Sequence, residues 1–413
     1  MVSELDRTRI RDLARRWMEI ASDPIMEERR RLWTAVKDLK QERPVILIET
    51  SCIDGFIDEK ELTCTDTYLR GVERQMVRSI KQFETVGDDI ILEPYYRIGW
   101  EITEPGFGVD VEMRPALTGE GETSMGYSFN FPIQSPDDFV KLKKRTTSVD
   151  RKKTLGNKSL LEDVMGDILP VRLGNYDPLS PVEGDDEWVG MFFFALTWQV
   201  FRFIGNDNLL TWVYDSPDTI HNLMEYMVED RLRTFKFLEQ EKLMVPNTDN
   251  QMAGPRSYGY VSELPAADTG GEVTLKDVWG WPESQESMII SPDMYKEFVL
   301  PYYARLAKEF GLVYYGCCEP VDDRIDLLIE AVPNLRAVSI SGWADFDFMA
   351  ERLGRDIVFS RKPTPAYMSG ANPDWDLMKQ DMEKTYNAVK RNGCNTEILI
   401  RDLYTVGGDI TRL

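Results

Sequence analysis

The chain has 413 residues, 42% hydrophobic and 29% charged, the balance of a folded protein long enough for one large core or two ordinary ones. Its 71 acidic residues against 49 basic leave a net charge of −22, which argues against nucleic acid or acidic lipid as a partner. No apolar run approaches the ~20 residues of a membrane span, and the start MVSELDRTRIRDLARRW lacks the apolar centre of a secretory signal.

Five scattered cysteines, Cys52, Cys64, Cys317, Cys318 and Cys394, do not make a disulfide framework and point to the reducing cytoplasm. The single histidine, His221, excludes every site that needs two.

Residues 4–41 read as two helices broken at Asp23-Pro24. This N-terminal helical extension, 1–42, precedes a unit spanning 43–413. RPVILIE (43–49) predicts a buried strand ending in a carboxylate, and DDIILEPYY (88–96) a second strand, with a helix over 66–86 between them. Residues 97–135 are rich in Gly, Pro and Glu with short alternating pieces. They predict a β-rich insertion or lid. A helix over 151–166, a short strand VRLG (171–174) and an aromatic-rich helical region over 187–214 follow.

The phrase Ser-Pro-Asp recurs at Ser135, Ser216 and Ser291, and each time it predicts a helix start. Serine caps free N–H groups, proline pre-sets φ, and aspartate complements the helix dipole. Pro301 inside the third of these helices predicts a kink near Leu300. The C-terminal third alternates strand and helix: LVYYGCC, VDDRIDLLIEAV, LRAVSIS, FDFMAERLG, DIVFSRKP, WDLMKQDMEKTYNAVKRNG and TEILIRD. Such alternation implies a parallel sheet. A closed (β/α)8 barrel of the α/β class is the expected fold, with a doubly wound open sheet as the alternative. No glycine-rich dinucleotide fingerprint follows the first strand.

In a barrel the chemistry lies at the C-terminal strand ends. Glu49, Glu93, Cys317, Cys318, Glu319, Ser341, Arg361, Lys362 and Asp402 fall there. Strand alternation puts Tyr315, Cys317 and Glu319 on one face, where a thiolate and a carboxylate make a partial zinc site. The competing reading is two small buried cysteines and a helix-capping Glu319. Glu283, in GWPESQES, is within reach of a metal near Cys317, or is a solvated loop charge. Cys394 precedes the last strand, roughly 20 Å from its other end at ~3.3 Å per residue, and reads as structural. Lys362 and Arg361 suit a carboxylate or phosphate, or pair with local acids. Tyr96, Tyr176, Trp188, Trp279 and Trp281 offer either core packing or an apolar pocket for a ring-shaped ligand. His221 reads as a packed or surface histidine.

VWGWPESQESMIISPDMYKEFVLPYYARL, LVYYGCCEPVDDRIDLL, IVFSRKPTPAYM and EILIRDLYTV together resemble the uroporphyrinogen decarboxylase superfamily, and within it the corrinoid-linked methyltransferase branch that demethylates aryl methyl ethers. The resemblance implies a (β/α)8 barrel and transfer of a methyl group from a small methylated aromatic substrate to a corrinoid protein, with zinc or an acid assisting the leaving oxygen. It implies a metal role for Cys317; a zinc set of Cys317 with Glu319 and Glu283 would be a departure from the family's site, and Cys317, Glu319 and Asp402 are the catalytic candidates. It implies substrate contacts from Tyr96, Tyr176, Trp188, Trp279, Trp281 and Lys362. Tyr315 stands where that branch has a histidine, and Arg401 or Asp402 stands near its later cysteine. The arginine-containing N-terminal segment of the true decarboxylases has no counterpart around RPVILIE. The alternatives are a decarboxylase of the same fold, or a non-catalytic corrinoid or tetrapyrrole binder. A homodimer is left open.

Overall fold

The computed structural model describes residues 2–49, 57–117, 123–175, 192–266, 271–369 and 371–413. Its frame is a parallel sheet of seven strands. In spatial order they are Phe193–Phe194, Trp279–Pro282, Leu312–Tyr315, Leu335–Ile340, Val358–Arg361, Thr396–Ile400 and Val45–Ile48. The order follows the chain until the first of these strands joins the last, Val45 opposite Glu397 and Ile48 opposite Ile400. That is the winding of a barrel, not of a doubly wound sheet, whose strand order reverses.

The expected closed barrel is nevertheless not formed among the described residues. Tyr96–Gly99 and Val171–Gly174 make a separate parallel pair. The physical reason lies in side chains that take the place of ladder bonds. Along the free edge of Val45–Ile48, Asp89 Oδ2 accepts from the Ile46 N–H at 2.8 Å and Asp88 Oδ2 from the Ile48 N–H at 3.0 Å. On the other flank, Asn175 exchanges bonds with both backbone groups of Val245, at 2.6 and 2.8 Å, and Asn247 Oδ1 accepts from the Trp279 N–H at 2.8 Å. Every buried edge N–H needs a partner, and carboxylates and amides supply it here. The strand expected over 88–96 accordingly begins only at Tyr96.

Alternation along the strands separates two cores. Leu47, Trp279, Trp281, Tyr314, Ala337, Val358 and Leu399 share one with the N-terminal helices. Val313, Tyr315, Val338, Ile340 and Phe359 share the other with the covering helices. The N-terminal helices Glu4–Ala21 and Pro24–Lys37 dock by apolar stripes and by two indoles, Trp17 donating to Glu93 O and Trp33 to Asp89 O. Lys37, the last residue of the second helix, buries its ammonium completely. It donates to Glu397 Oε2 at 2.7 Å, and Ser257 Oγ holds the other oxygen at 2.9 Å.

Part of the insertion is a hairpin of Met113–Leu117 and Thr123–Phe129. The recurring helix-start phrase behaves unevenly. Ser291 caps Met294 at 3.3 Å, whereas Ser216 makes no capping bond. The helix after Ser291 divides into Pro292–Phe298 and Leu300–Ala307, because Pro301 lacks the N–H that would continue the first turn. No described helix is long and apolar enough to cross a membrane.

The buried Lys37–Glu397 pair joins the second helix to the last strand. Removing one partner leaves an uncompensated charge, so Lys37→Met is expected to lose roughly 3–5 kcal/mol of stability. Urea unfolding checks this. The double variant Lys37→Met/Glu397→Leu should recover much of the loss.

Candidate functional site

The strand Leu312–Tyr315 stops at Gly316, whose φ of +95° is a left-handed conformation that an L side chain rarely adopts. That residue ends the strand alternation. Tyr315 points under the covering helices, bonding Ser284 Oγ and, at 2.9 Å, the Tyr295 hydroxyl. The hydroxyl of Tyr315 is thus engaged by Ser284 and Tyr295, and not by the Cys317 thiol with which alternation would group it. Tyr314 faces the interior instead, where Gly254 lies so close that an added Cβ would meet its ring at 2.4 Å.

Past Gly316 the loop is pinned by polar bonds. The Cys317 N–H donates to Glu319 Oε2 at 2.9 Å, Ser339 Oγ donates to Cys317 O at 2.5 Å, and the Trp281 indole donates to Gly316 O at 3.1 Å. Both thiols remain partly exposed. Arg401 Nη1 reaches Cys317 Sγ at 3.2 Å. The Cys318 proton is shared between Cys317 Sγ at 3.6 Å and Asp402 Oδ2 at 3.5 Å. The Cys318 bond and the Arg401 charge, against the effect of burial, hold the Cys317 thiol below its ordinary value. Cys318 is pushed up by the same bond and by burial. Of the two, Cys317 is thus the more readily ionised.

Arg401 is itself held by Glu49, 3.8 Å from its Nε, and Glu49 takes the Asp402 N–H at 2.6 Å and Arg256 Nε at 3.1 Å. Burial alone would raise the Glu49 carboxyl, but Arg401 and Arg256 outweigh it and hold the group below its usual range.

A second group lies after the strand Trp279–Pro282. Glu283 is buried, and burial with Glu286, Glu319 and Cys317 nearby pushes its carboxyl well above the usual range. Burial pushes Glu286 up to about 7, against a 2.9 Å bond from the Thr197 hydroxyl to its Oε2. Burial raises Glu319 too. Two buried carboxyl groups and a half-buried third, crowded together, disfavour ionisation of all three.

Among the described residues no three His, Cys, Asp or Glu side chains are gathered to hold a metal ion. Cys317, Glu319 and Glu283 are neighbours, but the carboxylates are turned onto the backbone. Glu319 takes the N–H groups of Cys317 and Ser284, at 2.9 and 3.2 Å, and Glu283 takes that of Gln285 at 3.0 Å. A zinc centre built on these three does not fit the arrangement.

An aromatic-walled cavity of about 220 Å³ adjoins the site. Tyr96, Trp279 and Trp281 line it with Trp17, Phe193 and Arg256. Tyr176 and Trp188 lie outside the described residues. Trp281 and Arg256 touch both the cavity and the polar site. Lys362 is not in this wall. Its ammonium is buried against Tyr314 OH and Ser360 Oγ, the latter at 2.7 Å, and burial lowers it to about 7. Arg361 pairs with Asp381 and Thr385 of the helix Trp375–Asn392, away from the interior. His221 packs on Phe298, with ring centroids 4.7 Å apart, and bonds Tyr302 OH at 2.8 Å. Cys394 is buried with its thiol on Ala350 O.

No protein-family model and no curated protein matches the sequence. Among solved structures the chain is similar to one described as a methyltransferase from Methanosarcina mazei. The likeness has 9% identity and a TM-score of 0.48, over 93% of this chain and 94% of that one. So distant a likeness leaves the activity to be argued from the residues themselves.

Arg256 escapes a sequence reading altogether, whereas Glu286 and Arg401 are visible in it as charges without their partners. Arg256 comes from a hairpin with no strand signal of its own, and its φ of +61° has no sequence mark. Glu286 sits beside Glu283 in GWPESQES, and only burial tells the two from loop charges. Arg401 carries a signal, a charge directly after the apolar run TEILI.

Replacing Arg401 removes the cation beside Cys317. In Arg401→Met the pH at which Cys317 becomes reactive should rise, and alkylation at neutral pH should slow. Iodoacetamide labelling across pH, read by peptide mass mapping, checks it; an unchanged profile would mean that Arg401 does not hold the thiolate.

Proposed function

We propose that this chain is a methyltransferase that moves a methyl group from a small methylated aromatic molecule, an aryl methyl ether, to a corrinoid protein, with a carboxylic acid in place of a metal assisting the leaving oxygen. The observation that carries this reading is the carboxyl group of Glu286, raised to about 7, on the loop that runs on directly from Trp279 and Trp281 in the cavity wall.

An ether oxygen leaves poorly as an anion, so breaking its bond to the methyl carbon calls for a proton on that oxygen. Glu286 near its half-protonated point can give one at neutral pH, and Thr197 orients it through Oε2. Burial, with Glu319 nearby, favours the protonated form of Glu286. The insertion hairpin covers the same region. Phe129 packs edge-on to Trp198, with centroids 5.6 Å apart, next to Thr197. The aromatic cavity holds the ring and excludes water. A corrinoid on the partner protein would supply the nucleophile that accepts the methyl group.

The cavity weighs against the tetrapyrrole reading. An apolar cavity of about 150 Å³ holds benzene, so about 220 Å³ suits one substituted ring better than a macrocycle. Arg361 and Lys362, which a decarboxylase would use as carboxylate anchors, are both engaged elsewhere.

The test is methylation of cob(I)alamin by a panel of aryl methyl ethers, followed spectroscopically. Transfer should fall as pH rises through about 7, where Glu286 loses its proton. Glu286→Gln should lower kcat by about 10²–10⁴-fold and abolish that pH limb. No methyl transfer across the panel, with tetrapyrrole or corrinoid binding retained, would favour the non-catalytic alternative.

The same carboxyl predicts a stability effect. A folded-state value raised above the unfolded one contributes stability that is present below the unfolded value and lost as pH rises through about 7. Glu286→Gln should therefore be more heat-stable than the parent at pH 8, by a few degrees in Tm, with the gap closing below pH 5. Calorimetry at both pH values checks it.

A further inference from the structure

Cys318 has no part in methyl transfer as proposed, yet it is placed as carefully as Cys317. The two sulfurs are 3.6 Å apart, with both side chains partly exposed. Arg401 Nη1 donates to one sulfur at 3.2 Å and Asp402 Oδ2 faces the other at 3.5 Å. Gly316 and the bonds from Glu319 and Ser339 fix the backbone that sets this spacing.

The spacing selects a ligand geometry. Two metal–sulfur bonds of about 2.3 Å at a near-tetrahedral angle span about 3.7 Å between sulfurs. A linear two-coordinate ion needs a wider gap, and a tetrahedral zinc site needs further ligands that this site does not gather. A pyramidal, thiophilic centre asks for two sulfurs at this bite and brings its third substituent with it.

We propose that Cys317 and Cys318 form a two-thiol site for a trivalent thiophilic electrophile, with an organoarsenic(III) compound as the representative ligand. The reaction changes no oxidation state. Cys317 sulfur attacks the arsenic of R–As(OH)2 and forms the first S–As bond as one hydroxide leaves. Cys318 sulfur forms the second S–As bond, and its proton departs with the second hydroxide as water. Arg401 stabilises the attacking thiolate, and Asp402 faces the Cys318 proton as it leaves. This inference does not rest on the methyl-transfer reading.

The test uses the full-length folded protein with Cys52, which lies outside the described residues, changed to Ser in every arm. Cys64 and Cys394 are buried and serve as internal controls. Phenylarsine oxide is titrated against the parent, Cys317→Ser and Cys318→Ser, with intact mass spectrometry under native conditions. One phenylarsenic per chain is expected in the parent. It should persist in excess glutathione and be released by a small dithiol. Linking two binding groups typically raises affinity about 10²–10⁴-fold, so each single variant should lose at least ~100-fold. Iodoacetamide labelling of Cys317 in Cys318→Ser shows that the remaining thiol is intact. Equal affinity in Cys318→Ser would overturn the proposal, as would the absence of an adduct on a parent whose two thiols both alkylate.

Discussion

One guanidinium organises the C-terminal face of this sheet. Arg401 stands between Glu49 and Cys317, and Glu49 in turn gathers Arg256 and the backbone of Asp402. Three chain segments far apart in sequence meet there because a buried charge must find its opposite. Without that cation the Cys317 sulfur would lose the positive charge that helps to hold its titration below the ordinary value. The arginine provides fixed positive charge without the directional ligand demands of a metal, which lets the neighbouring carboxylates serve other ends.

Those other ends are a group of acids, Glu283 and Glu319 buried and Glu286 at the edge of solvent. Glu283, Glu286 and Glu319 lie close enough to raise one another, and burial raises each further. The site thus separates its charges. The more acidic thiol and the guanidinium lie on the Cys317 side, and carboxyl groups raised above their usual range lie on the Glu286 side. Groups whose surroundings push their titration apart are how one site keeps an acid and an anion together at neutral pH. The arrangement spends folding stability on chemistry, which is common where a site is held by a rigid sheet.

How far the sequence reveals this depends on the kind of interaction. The C-terminal strands and helices are legible because their apolar runs and caps are local. LVYY, LRAVSI, VFSR and TEILI all form where periodicity places them. The helix break at Val299 is legible from Pro301 alone. The open wall is not legible. It depends on Asp88, Asp89 and Asn247 bonding to strands, and Asn175 to the backbone at Val245, all distant in sequence, and an aspartate in DDIIL looks like any other. The direction of Tyr315 is hidden for a related reason. Alternation predicts side-chain faces only while the chain stays extended, and one left-handed glycine resets the count. Cys317 and Asp402 can be placed at the right end of the sheet by polarity. Their partners, Arg256 above all, come from segments that carry no motif.

The Trp281 indole has a double attachment. Its ring forms part of the cavity wall, with Phe193 4.6 Å away, while its N–H props the carbonyl of Gly316. One rigid side chain therefore belongs to both the apolar chamber and the cysteine loop. A molecule that shifts this ring on entering the chamber also shifts the carbonyl from which the loop hangs. Free energies of binding are reciprocal between linked sites. A change at the sulfurs that moves Gly316 must then alter the hold of the chamber on its occupant by the same factor. The indole joins two compartments of different chemistry.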